Sequence, residues 1–90
     1  MAVAEAQVEV KNRLGLHLRA ASTLAQALKP FDASITLANG KHSVNAKSVI
    51  NLVTLGAAAG TRLTVKAEGK DAQQAVATLT ELFKNGFGEE

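Results

Sequence analysis

Arg62-Leu63-Thr64-Val65-Lys66-Ala67-Glu68 alternates polar and apolar residues through seven positions without a break. Successive side chains of a strand point to opposite faces. The run therefore predicts a strand with Leu63, Val65 and Ala67 on one face and Arg62, Thr64, Lys66 and Glu68 on the other. A sheet built from such strands has one wet face, so its helices must all stack on the other. That requirement points to a layered α+β fold with an antiparallel sheet.

The remaining segments fit this frame. Gln7-Val8-Glu9-Val10 alternates in the same way, and Asn12-Arg13-Leu14-Gly15 breaks the pattern as a loop. From His17 onward the stretch is rich in helix formers. Ala21, Leu24, Ala25 and Leu28 fall on one helical face, and Pro30 ends the helix. Ser34 to Leu37 alternates again, and Asn39-Gly40 predicts a hairpin returning through His42 to Asn45. Ser48 is positioned to cap a short helix over Val49 to Leu55, closed by Gly56. After Glu68, Gly69-Lys70 turns the chain. Asp71 then caps a last helix with Ala72, Val76, Leu79 and Phe83 on its inner face, and Gly86 is its stop. The order is β-α-β-β-α-β-α. The expectation is one domain over residues 1–90, an open-faced β-sandwich with a four-stranded antiparallel sheet and three helices on one face.

Composition excludes several function classes. The chain of 90 residues is 47% hydrophobic but carries only three aromatics, all Phe, so the stacking platforms of single-stranded nucleic-acid binders are missing. Net charge is +2, and the Lys and Arg residues are scattered, so no nucleic-acid partner is expected. Without cysteine there is no disulfide, thiolate metal site or cysteine nucleophile. The two histidines are not spaced for a metal, and no cofactor is expected. The first ten residues do not resemble a signal peptide, and no apolar run is long enough to span a bilayer. These features favour a cytoplasmic location without membrane insertion.

The chemistry concentrates at Gly15-Leu16-His17-Leu18-Arg19. A glycine loop delivers a histidine to the first turn of a helix, where free backbone N–H groups and the helix dipole favour anions. Histidine's ordinary pKa near 6.5 leaves the imidazole mostly neutral, hence nucleophilic, at cell pH. Arg19 can offer guanidinium N–H groups to phosphoryl oxygens. His42, beside the hairpin turn, has none of these neighbours and reads as an exposed hairpin residue. Ser48 reads as a helix cap that could also accept a regulatory phosphate. Val49, Ile50, Leu52, Val53 and Leu55 are too many for one narrow stripe of a two-turn helix. Some must meet a partner, unless both sides are core. Glu89-Glu90 reads as a frayed acidic tail.

Residues 15–21, Gly-Leu-His-Leu-Arg-Ala-Ala, together with Ala46-Lys47-Ser48-Val49-Ile50-Asn51-Leu52, resemble the HPr family of bacterial phosphotransferase carriers. The resemblance spans nearly the whole chain. It implies that His17 is phosphorylated on Nδ1 and that Arg19 steadies the phosphoryl group. It implies Enzyme I as donor, with phosphoenolpyruvate as ultimate source, and an EIIA-type protein as acceptor. Ser48 would match the serine modified by HPr kinase/phosphorylase. Leu18, Ala20, Val49, Ile50, Leu52 and Val53 would form the docking surface of a monomer that carries phosphate rather than catalysing a reaction.

Two positions depart from the family pattern. Leu18 stands where a small residue or Thr is usual, and Ala20 where Pro is usual. Asn12 to Gly15, Phe31 to Ala33 and Phe83 to Phe87 resemble the nitrogen-related branch, NPr, whereas Lys47-Ser48 and Thr54-Leu55-Gly56 lean toward the sugar-system branch. The alternative from another class is a regulatory module that controls a kinase or transcription factor through its surface, with phosphoryl transfer secondary.

Overall fold

The structure is a computed structural model that describes residues 2–89. Strand β1 runs Val3–Glu9, helix α1 Leu18–Leu28, β2 Ser34–Asn39, β3 His42–Asn45, α2 Val49–Leu55, β4 Arg62–Glu68 and α3 Ala72–Lys84, with a short 3-10 turn at Gly86–Gly88. The expected order holds. The four strands form one antiparallel sheet in the order β1-β4-β2-β3, with the three helices layered on one face. No helix among the described residues is long and apolar enough to cross a membrane.

The alternation of β4 sets the register. Leu63, Val65 and Ala67 are buried, and Val65 pairs with Ala6 on one side and Leu37 on the other. Val8, Ile35, Leu37 and Val44 join the same inner face. The helices close it with Leu24 and Leu28 from α1, Leu52 from α2, and Leu79 and Phe83 from α3. Each such side chain contributes about 1.5–3 kcal/mol on burial. This alone decides which helix faces point inward.

Three local expectations are corrected. β1 starts four residues earlier than its Val-containing segment suggested, because Ala4 and Ala6 continue the alternation with side chains too small to signal it. Val10 lies beyond the strand but still bonds to the loop before β4 through Thr61 and Gly60. The hairpin is present, but its two-residue turn is Gly40-Lys41, not Asn39-Gly40. Asn39 pairs with His42, and only Gly40 takes positive φ. This register keeps Leu37 opposite Val44, both facing the core.

Asp71 stands at the N-cap of α3, but its side chain makes no capping bond. Its two carboxylate oxygens instead accept the N–H groups of Asp32 and Ala33, each at 2.9 Å. The Asp32 bond, followed by that of Ala33 and the charge of Lys47, outweighs desolvation and holds the Asp71 carboxyl below its ordinary value of 3.8. The side chain thus stitches the loop after α1 to the start of α3 rather than closing its own helix.

Candidate functional site

The loop before α1 is shaped by Asn12 and Gly15. Asn12 is buried; its Nδ2 donates to the Gly15 carbonyl at 2.6 Å, and the Gly15 N–H donates back to the Asn12 carbonyl at 3.2 Å. Gly15 adopts φ +70, and a Cβ there would sit 2.5 Å from the Ala57 carbonyl oxygen. Only glycine allows that conformation and that approach together. The contact brings the Leu16 N–H within 2.9 Å of the same Ala57 oxygen. The chain is thereby clamped on both sides of Gly15 immediately before His17.

His17 occupies the N-cap of α1 in an extended conformation, with φ −76 and ψ 179. Its carbonyl accepts the first helical bond, from the Ala21 N–H at 2.9 Å, but its ring makes no capping bond. The N–H groups of Leu18, Arg19 and Ala20 are therefore first-turn donors without acceptors inside the helix. The short helix α2 behaves differently: Ser48 Oγ accepts the Asn51 N–H at 3.3 Å and caps its own first turn, as its sequence predicted. The helix start that carries the histidine keeps its donors available to an anion, whereas the one that carries the serine uses one on itself.

The imidazole does have a partner, and it is one the sequence pattern missed. His17 Nε2 lies 2.7 Å and 3.0 Å from the two carboxylate oxygens of Glu89. Glu89 is thus not a frayed tail; Glu90 lies outside the described residues. The physical reason is Phe87, which is buried and meets Phe83 edge-to-face at 4.8 Å. Phe87 adopts φ +57 to do so. That conformation costs about 1–2 kcal/mol for an L-residue. Burying a Phe side chain returns about 1.5–3 kcal/mol, so the anchor holds. Two residues beyond it, Glu89 reaches the ring.

Asn12 completes the triangle by donating Nδ2 to Glu89 Oε1 at 2.9 Å. Desolvation works against the Glu89 charge. The bonds from Asn12 and His17, with the charges of His17 and Arg19, outweigh it and hold the carboxyl below its ordinary value of 4.5. An ionised carboxylate has no proton to give, so Nε2 is the donor and the lone pair of a neutral ring lies on Nδ1. His17 retains 29% side-chain exposure, and Glu89 17%. Both line an open depression with Arg13, Leu14, Leu18 and Arg19.

The other sequence-predicted residues divide. Leu18 and Ile50 are 67% and 74% exposed, and Val53 is also exposed, while Val49 is half-buried. Leu18, Ile50 and Val53 are thus apolar side chains that face solvent. Ala20 and Leu52 are fully buried and drop out of any contact surface. Ala20 faces inward on α1 with Leu24, and Leu52 is the inward residue of α2 with Leu55. Leu14, 70% exposed beside His17, joins the surface instead. His42 sits exposed at the start of β3, away from this cluster.

Comparison with known proteins agrees across the chain. The family described as "PTS HPr component phosphorylation site" matches residues 4–85. The phosphocarrier protein HPr of Xylella fastidiosa (strain Temecula1) is 40% identical, over 96% of this chain and 97% of the relative. The phosphocarrier protein NPr of Escherichia coli (strain K12) is 38% identical, over 92% and 93%. Among solved structures, HPr from Thermoanaerobacter tengcongensis superposes with a TM-score of 0.92 at 36% identity, over 97% of this chain and 98% of that one.

Proposed function

Since the chain belongs to the HPr family of phosphotransferase-system phosphocarriers, we propose that it accepts a phosphoryl group on His17 Nδ1 from phospho-Enzyme I and passes it to an EIIA-type protein. The observation that carries this reading is the pairing at α1: a histidine at the N-cap whose ring leaves the first-turn amides uncapped. Nδ1 supplies the electron pair that attacks phosphorus. The freed amides of Leu18, Arg19 and Ala20 and the Arg19 guanidinium receive the phosphoryl oxygens. The donor's bond to phosphorus breaks as the Nδ1 bond forms, and the reverse sequence delivers the group onward. The chain acts as a stoichiometric carrier, with the barrier lowered by groups its partners bring.

Leu14, Leu18, Ile50 and Val53 form the apolar surface that partners cover during transfer, with Val49 at its edge. Ala20 and Leu52 support that surface from behind. Leu18 adds apolar area directly beside His17, which favours partners with a matching apolar pocket. Ser48 serves as a regulatory site for an HPr kinase/phosphorylase, since a phosphate at an N-cap is met by helix amides. The protein works as a cytoplasmic monomer.

Incubation with phosphoenolpyruvate and a cognate Enzyme I should give an acid-labile phosphoprotein, and adding an EIIA-type protein should drain the label. His17→Ala should accept none. A His17→Ala protein labelled at the native rate would sink the assignment.

A further inference from the structure

We infer that Glu89 is a positioning residue for His17: anchored by Phe87 and aligned by Asn12, its carboxylate holds the Nε2 proton and so keeps Nδ1 as the reacting nitrogen. The inference rests on the phosphocarrier reading and deepens it. Three contacts define the arrangement. Both Glu89 oxygens lie within 3.0 Å of Nε2, Asn12 Nδ2 holds Oε1 at 2.9 Å, and Phe87 fixes the turn that carries the carboxylate. Asn12 also fixes the Gly15 carbonyl, so one buried amide couples the loop that delivers His17 to the arm that orients it.

Arg13 and Arg19 line the same depression as His17, and the N-terminus of α1 lies beneath it. All three are positive, so among the described residues that line the depression Glu89 is the one negative group. In the unphosphorylated protein it selects the tautomer, as a carboxylate behind a metal-bound or catalytic histidine does. During transfer the bond between the donor and phosphorus breaks, the Nδ1–P bond forms, and positive charge develops on the ring. The Nε2 proton stays between ring and carboxylate, which meets that charge. When the phosphoryl group leaves, the electron pair of the Nδ1–P bond returns to Nδ1, again without loss of the Nε2 proton. The phosphoryl group on Nδ1 and the carboxylate on Nε2 occupy opposite edges of the ring and do not compete for space.

The test is Glu89→Ala in the full chain, read in two ways. Long-range proton–nitrogen NMR of the unphosphorylated protein should show His17 with its proton on Nε2, and the variant should move toward a mixture of both tautomers. Phosphoryl acceptance from phospho-Enzyme I should slow by about tenfold, the low end of what loss of a histidine-orienting carboxylate costs. Unchanged tautomer populations overturn the inference. So does an unchanged rate in a variant whose tautomers have shifted. Neither result touches the carrier reading, which fails separately if His17→Ala still accepts phosphate.

Discussion

Replacing Gly15 with Ala tests whether the loop that presents His17 is held by backbone contact. Two costs arise. The first is conformational: φ +70 in an L-residue costs about 1–2 kcal/mol. The second is steric. The new Cβ would lie 2.5 Å from the Ala57 oxygen and 3.1 Å from the Ala58 Cα, and both are backbone atoms that cannot rotate away. Separating the strands of chain would stretch the 2.9 Å bond from the Leu16 N–H to Ala57, worth about 1 kcal/mol. The loss is then about 2–3 kcal/mol, a fall in melting temperature of roughly 10–20 °C for a domain of this size. Gly40→Ala is the control. It has the same sign of φ, at +63, but nothing within 4 Å of its Cβ, so only the conformational cost applies. Thermal melts followed by circular dichroism should rank native, Gly40→Ala and Gly15→Ala in that order. Melting of the two variants within about 2 °C of each other would refute the claim that Gly15 is pressed against the 57–58 backbone.

Two further outcomes follow from the contacts that order the rest of the chain. Asp71→Ala should lower the melting temperature at neutral pH, because the N–H groups of Asp32 and Ala33 lose their acceptor. A carboxyl with a depressed folded pKa stabilises above its ordinary 3.8 and ceases to do so as pH falls through the lower folded value. The gap between native and variant melts should therefore narrow as pH falls below the ordinary value of 3.8, and a gap that widens on acidification would contradict the stitch. Ser48→Ala should cost about 0.5–1 kcal/mol, the low end for an N-cap, given the 3.3 Å bond to Asn51. A melt unchanged within error would mean the hydroxyl does not cap α2.

The parts of the fold that were legible in the sequence are those set by local periodicity. β3, α2 and β4 begin and end where alternation, cap and glycine placed them, because each carries its own boundary signals. The first half of β1 was hidden because Ala4 and Ala6 bury little area and so barely register as apolar. On α2, five apolar residues in seven leave periodicity unable to say which side faces in. Packing answers that with Leu52 and Leu55 inside and Ile50 outside. Ala20 stands four residues before Leu24, so helical periodicity by itself already puts it on the inward face of α1 and out of the expected docking surface. Asn12 and Glu89 were beyond local reading altogether. They meet across 77 residues of chain, and Glu89 meets His17 across 72, so no spacing rule links them. The usable signal was Gly86-Phe87-Gly88, an aromatic residue in a segment that would otherwise fray, whose burial announces that the arm is tied down.

The proposed carrier site has two halves: Nδ1 of His17 takes the phosphoryl group, and Glu89 holds Nε2. Phosphorus and nitrogen NMR of the protein after reaction with phosphoenolpyruvate and Enzyme I reads both halves at once. The expected product is one phosphohistidine, at His17, bonded through Nδ1 and still bearing a proton on Nε2. A phosphoryl group on Nε2 of His17, or on His42, would contradict it.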